Sequence, residues 1–140
     1  LGGRAAEKII FNKISTGALS DLEKVTRQAK AIVSIYGLNE TLGNITYYDS
    51  SGQSDYNFSK PYSEHTAQVI DKEISIIIEK QYERAIDLLK NSKEKLKQLA
   101  DRLLEKEVIF KDDLENILGK RPYKTNNEKI EEAKALKQKK

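Results

Sequence analysis

Apolar residues recur every three or four positions in stretch after stretch, and that spacing limits the chain to an all-α fold. Ala18, Leu22, Val25, Ala29, Ile32, Val33 and Tyr36 form the cleanest stripe, since residues so spaced share one face of a helix. Ala67, Ile70, Ile74, Ile77, Ile78, Tyr82, Ala85 and Leu89 form a second. Val69, Ile76, Ile86 and Leu88 widen that face enough to serve more than one neighbour. Leu96, Leu99, Ala100, Leu103 and Leu104 give a third stripe. The spacing predicts a mainly helical bundle of about four to five helices, with one long loop or short hairpin around residues 38–61.

Start and stop signals set the boundaries. Arg4 to Phe11 reads as a helix end, with Ala5, Ala6, Ile9 and Ile10 on one side. Ser15-Thr16-Gly17 then opens the next helix, because a hydroxyl there can accept a free backbone N–H. Gly37 is placed to end that helix. Between Leu38 and Pro61 the periodicity is lost. Asp49-Ser50-Ser51-Gly52-Gln53-Ser54-Asp55 is turn chemistry, flanked by Ile45-Thr46-Tyr47-Tyr48 and Tyr56-Asn57-Phe58, which allows either a hairpin or a long loop. Ser63 caps the third helix, which is expected to run to about Lys90, and Ser92 opens the fourth. Val108-Ile109-Phe110 is an extended joint. A short helix follows from Asp112-Asp113-Leu114 to Gly119, and Pro122 prevents its continuation.

Composition excludes several classes. There is no cysteine, so neither disulfides nor thiolate metal sites are available. No apolar run reaches the roughly 20 residues needed to cross a bilayer, and no signal peptide opens the chain. Methionine is absent too, so a processed or excised piece is the expectation. The net charge of +3 is uneven, since residues 119–140 hold eight Lys/Arg against three Glu and leave a slightly acidic body. A basic tail of this kind reads first as a solubilising, disordered C-terminus over residues 124–140. The seven tyrosines are not interleaved with basic residues, which argues against a nucleic-acid groove.

Few residues are candidates for chemistry. A catalytic zinc site needs three side chains on the metal and one open position for water, and this chain has a single histidine and no cysteine to offer it. Asp21 lies in the first turn of the second helix, away from the apolar stripe, where the helix dipole alone already favours a carboxylate. Glu7 reads as a solvent-facing helical residue within reach of Arg4. His65, beside a helix start, suits a cap or a surface position and is assigned no role. Gly2 and Gly3 belong to no phosphate-cradling pattern, so nucleotide binding has no local basis.

Two N-terminal motifs narrow this. Gly2-Gly3-Arg4-Ala5-Ala6-Glu7, followed at a set distance by Ser15-Thr16-Gly17-Ala18-x-x-Asp21-Leu22, resembles the peptidase domain of the FtsH family of membrane-anchored, ATP-dependent zinc metalloproteases. Later segments agree in order, among them Tyr36-Gly37-Leu38-Asn39-Glu40-x-Leu42-Gly43, Pro61-Tyr62-Ser63-Glu64, Ile70-Asp71-x-Glu73, Leu103-Leu104-Glu105-Lys106-Glu107 and Gly119-Lys120-Arg121-Pro122-Tyr123. Val33 and Leu38 stand where the family often has Met. The resemblance covers residues 1–123.

The resemblance implies that Asp21 is the third zinc ligand and that Glu7 supports a ligating His from nearby. It implies that the His-Glu-x-x-His helix and the ATP-binding module lie outside this chain, which would be inactive alone. It also implies a hexameric parent that degrades membrane and misfolded proteins, working on unfolded polypeptide at the cytoplasmic face of a bacterial inner membrane, or in an organelle. Membrane attachment would come only from missing N-terminal segments. A non-enzymatic helical assembly module is the rival reading, because the third and fourth helices carry broad apolar faces.

Overall fold

The computed structural model describes residues 1–48, 61–123, 126 and 130. Among them are five α-helices and one 3-10 turn, with no strand: α1 (Gly2–Phe11), the turn Thr16–Ala18, α2 (Leu19–Ser34), α3 (Glu64–Asn91), α4 (Lys93–Lys106) and α5 (Lys111–Leu118). The all-α expectation is met. The chain divides into two compact units, Leu1–Asn91 and Ser92–Lys140. No described helix is long and apolar enough to cross a membrane.

In the first unit α1 and α2 both pack against α3. The core consists of Ala5 from α1, Ala18 and Ala29 with Val33 from the first stripe, and Ala67 and Ile70 from α3. This core is mostly alanine, whose short side chains suit close helix packing, with Val33 and Ile70 its larger side chains. α1 ends at Asn12, which takes the left-handed conformation at φ 50° and donates its N–H to the Lys8 carbonyl. Asn tolerates that conformation better than most residues. Ser63 starts α3 as expected, its hydroxyl accepting the Thr66 N–H at 3.2 Å.

The end of α2 departs from the sequence reading. The helix stops at Ser34 with Ile35 as its C-cap, and Tyr36, expected on the buried stripe, is 64% exposed. The cause lies in the backbone. Leu38 donates to the Ile32 carbonyl, and Gly37 at φ +60° turns the chain so that the Ile45 carbonyl passes beside its Cα. Ile45 to Tyr48 forms no strand, and the opposite half of the possible hairpin lies outside the described residues.

In the second unit α4 packs on α5. The α4 stripe is amphipathic but not buried, with Leu104 83% exposed and Leu103 also on the surface. Periodicity shows which face is apolar without showing what covers it. The joint between the helices closes on charge: Asp113, only 8% exposed, accepts Arg102 Nε at 3.0 Å and Lys106 Nζ at 2.8 Å on one oxygen. Its other oxygen accepts the Phe110 N–H at 3.3 Å and so caps α5. These contacts hold the Asp113 carboxyl down at about 2. Beside them lies a shallow depression of about 390 Å³, bordered by Gln98, Asp101 and Asn116.

Candidate functional site

The turn between α1 and α2 is built around Glu7 and Ser15. Glu7 stands in the last turns of α1, half-buried, and reaches forward across the connection. One carboxylate oxygen accepts the Ser15 hydroxyl at 2.7 Å, and the other accepts the Ser15 backbone N–H at 3.0 Å. The Ser15 oxygen in turn accepts the Gly17 N–H at 3.2 Å. Ser15 therefore caps the 3-10 turn, as its sequence position predicts, while being held from behind by Glu7. The two Ser15 bonds keep the Glu7 carboxyl below the usual glutamate range, and Arg4 adds a smaller electrostatic pull.

Thr16–Ala18 runs straight into α2, with the Leu19 N–H donating to the Thr16 carbonyl. Ala18 is buried, so the turn is fixed on its inner side as well. Asp21 then falls in the first turn of α2. Its side chain is exposed and makes no hydrogen bond or ion pair among the described residues. A free carboxylate is the donor type that zinc accepts, but one donor is not a site. No group of three or more His, Cys, Asp or Glu is placed to hold a metal among the described residues. His65 is exposed near the start of α3.

The partner of Glu7 is therefore Ser15, eight residues on, rather than Arg4, with which it makes no ion pair. A second carboxylate with a defined task, unassigned from sequence, is Glu73 on α3. It accepts Asn39 Nδ2 at 2.7 Å and the Thr41 hydroxyl at 3.0 Å. Asn39 Oδ1 accepts the Leu42 N–H at 3.0 Å, and the Asn39 carbonyl accepts the Gly43 N–H. Further on, the Tyr47 N–H donates to the Ser34 carbonyl at 2.8 Å, and its ring meets Tyr62 edge-on at 5.5 Å. The segment after α2 is thus fastened at both ends. Asn39 and Glu73 each stood inside a motif quoted above, but nothing in the spacing linked the two.

The chain belongs to peptidase family M41, whose family model matches residues 1–117. Among similar proteins is the ATP-dependent zinc metalloprotease FtsH of Karelsulcia muelleri, 54% identical over 118 residues, or 84% of this chain and 19% of that protein. The protein of the same name from Parabacteroides distasonis is 51% identical over 130 residues, covering 93% of this chain and 19% of its own length. The ATP-dependent zinc metalloprotease FTSH 3, mitochondrial, of Oryza sativa subsp. japonica is 46% identical over 125 residues, covering 89% and 15%. The chain spans about a fifth of the length of the bacterial relatives.

Proposed function

We propose that this chain is the C-terminal portion of the peptidase domain of an ATP-dependent zinc metalloendopeptidase, and that Asp21 is one of the zinc ligands. The observation that carries this is the unpaired, exposed Asp21 carboxylate in the first turn of a helix whose start is clamped. Bound there, zinc supplies Lewis acidity and brings the pKa of a water to about 7. Asp21 would contribute a charged oxygen donor to it. Glu7, on α1, supports a ligating His from nearby. The remaining two ligands and the general base belong to a His-Glu-x-x-His helix elsewhere in the longer protein, and nucleotide binding to another module.

The described chain alone is therefore proteolytically inactive, with or without added zinc. In the longer protein it takes part in a hexamer that degrades membrane and misfolded proteins as unfolded polypeptide. That protein is anchored in a bacterial inner membrane with this domain on the cytoplasmic side, or in an organellar membrane, through segments other than these. Nucleic acid is not a partner, and residues 124–140 serve as a solubilising tail.

The deciding experiment compares full-length protein with its Asp21→Asn variant for zinc content, peptide cleavage and hexamer formation. Loss of zinc and cleavage with the hexamer intact is the expected result. Wild-type zinc content in the variant would refute the ligand assignment. A second reading, a helical assembly module without catalysis, draws on the exposure of Leu104 and Phe110 in the second unit. Wild-type protein that carries no zinc and cleaves nothing would favour it.

A further inference from the structure

We propose that Ser15 is a positioning residue for the metal carboxylate, transmitting the hold of Glu7 to Asp21. The inference rests on the reading of Asp21 as a zinc ligand and assigns Glu7 a route of action through the backbone of the α2 start.

Ser15 touches both sides of the joint. Its N–H and hydroxyl are spent on the two oxygens of Glu7, and its oxygen takes the Gly17 N–H. Both Glu7 oxygens are thereby engaged in the turn. From Ser15 onward the chain has no free hinge before Asp21. Thr16–Ala18 is a 3-10 turn, α2 starts at Leu19, and Asp21 is its third residue. A rotation of the backbone at Ser15 is therefore passed to Asp21 as rotation of a helix end. Metal ligands must be held to a fraction of an ångström, and the groups behind them typically carry a 10–100-fold effect on affinity.

Gly17 adds an independent handle. A Cβ at this position would stand 3.3 Å from the Ser15 oxygen and 4.0 Å from a Glu7 oxygen. The first distance is tight, so Ala at 17 displaces the hydroxyl without removing any polar group.

The test uses the full-length protein and follows zinc loss to a competing chelator, with thermal unfolding and hexamer formation measured alongside. Ser15→Ala is expected to weaken zinc retention by about 10-fold or more. Ser15→Thr keeps a hydroxyl at the cap and is expected to restore retention close to wild type. Asp21→Asn is run beside them. Zinc retention in Ser15→Ala equal to wild type, while Asp21→Asn loses it, overturns the role of Ser15 and leaves the ligand assignment standing. Wild-type retention in Asp21→Asn overturns both. Should Ser15→Ala also lower the unfolding temperature, Gly17→Ala decides: weaker retention at wild-type stability supports the proposal, and unchanged retention overturns it.

Discussion

Glu73 on α3 accepts the side-chain amide of Asn39 at 2.7 Å across 34 residues of sequence. The bond ties the segment after α2 to the helix against which α2 packs. Asn39 is nearly buried, and its oxygen simultaneously orders the turn through the Leu42 N–H. Asn39→Asp replaces the donor with a second carboxylate facing Glu73. It is expected to lower the unfolding temperature and to speed exchange of the Leu42 and Gly43 amides, while amides in α5 keep their protection. Hydrogen exchange followed by NMR reads both regions in one experiment.

Acid should loosen the fold at three carboxylates. Glu7, Glu73 and Asp113 all have carboxyls held below their ordinary values by hydrogen bonds, to Ser15, to Asn39 and Thr41, and to Lys106 and Arg102. A depressed folded-state pKa means that the unfolded chain binds more protons. The stabilisation is therefore complete above the unfolded values, 4.5 for Glu and 3.8 for Asp, and is lost as pH falls through the folded ones. The Asp113 contribution persists down to about 2. Unfolding midpoints measured from neutral pH to pH 2 should decline most steeply below pH 4.5, and Glu73→Gln should flatten that decline.

Helix existence was legible in the sequence because a 3.6-residue period needs only local information. Ser15 and Ser63 were legible as caps for the same reason. What covers a helix face is not local. α4 shows the same stripe as α2, yet Leu103 and Leu104 stay on the surface. Ile45-Thr46-Tyr47-Tyr48 has β-prone residues, but in the fold it is held by Ser34 and Tyr62 rather than by a strand. In the site, Asp21 could be located by motif, since helix position follows from chain position. The partner of Glu7 could not, because the i, i+3 neighbour Arg4 competes on paper with a serine in a turn whose geometry only the fold supplies. Asn39 and Glu73 were unreadable as a pair for a similar reason.

Gly37 offers a backbone prediction. Its φ of +60° is left-handed, and the Ile45 carbonyl oxygen lies 3.4 Å from where a Cβ would stand. Gly37→Ala is expected to destabilise by about 1–2 kcal/mol, the cost of placing an L-residue in that region. Gly37→Asn should cost less, because its short polar side chain tolerates αL. Chemical denaturation of both variants gives the ordering, and equal losses would point to the carbonyl contact rather than to φ.

The packing of α2 on α3 makes the firmest energetic prediction. Ile70 is 3% exposed and Val33 fully buried, and apart from these the core is alanine, with little side chain to collapse into a void. Ile70→Ala should therefore cost about 2–5 kcal/mol, with the cavity left largely unfilled. Ile70→Val removes one methylene and should cost about 0.5–1.5 kcal/mol. Since α1 also packs on α3, the loss should be seen in the Asn12 cap and the Ser15 turn as well as in α2. Amide exchange in those turns should rise with the Ala variant, and zinc retention by the full-length protein should fall in parallel. A variant that lost stability in α3 while keeping the Ser15 turn fully protected would show that the clamp stands independently of the core beneath it.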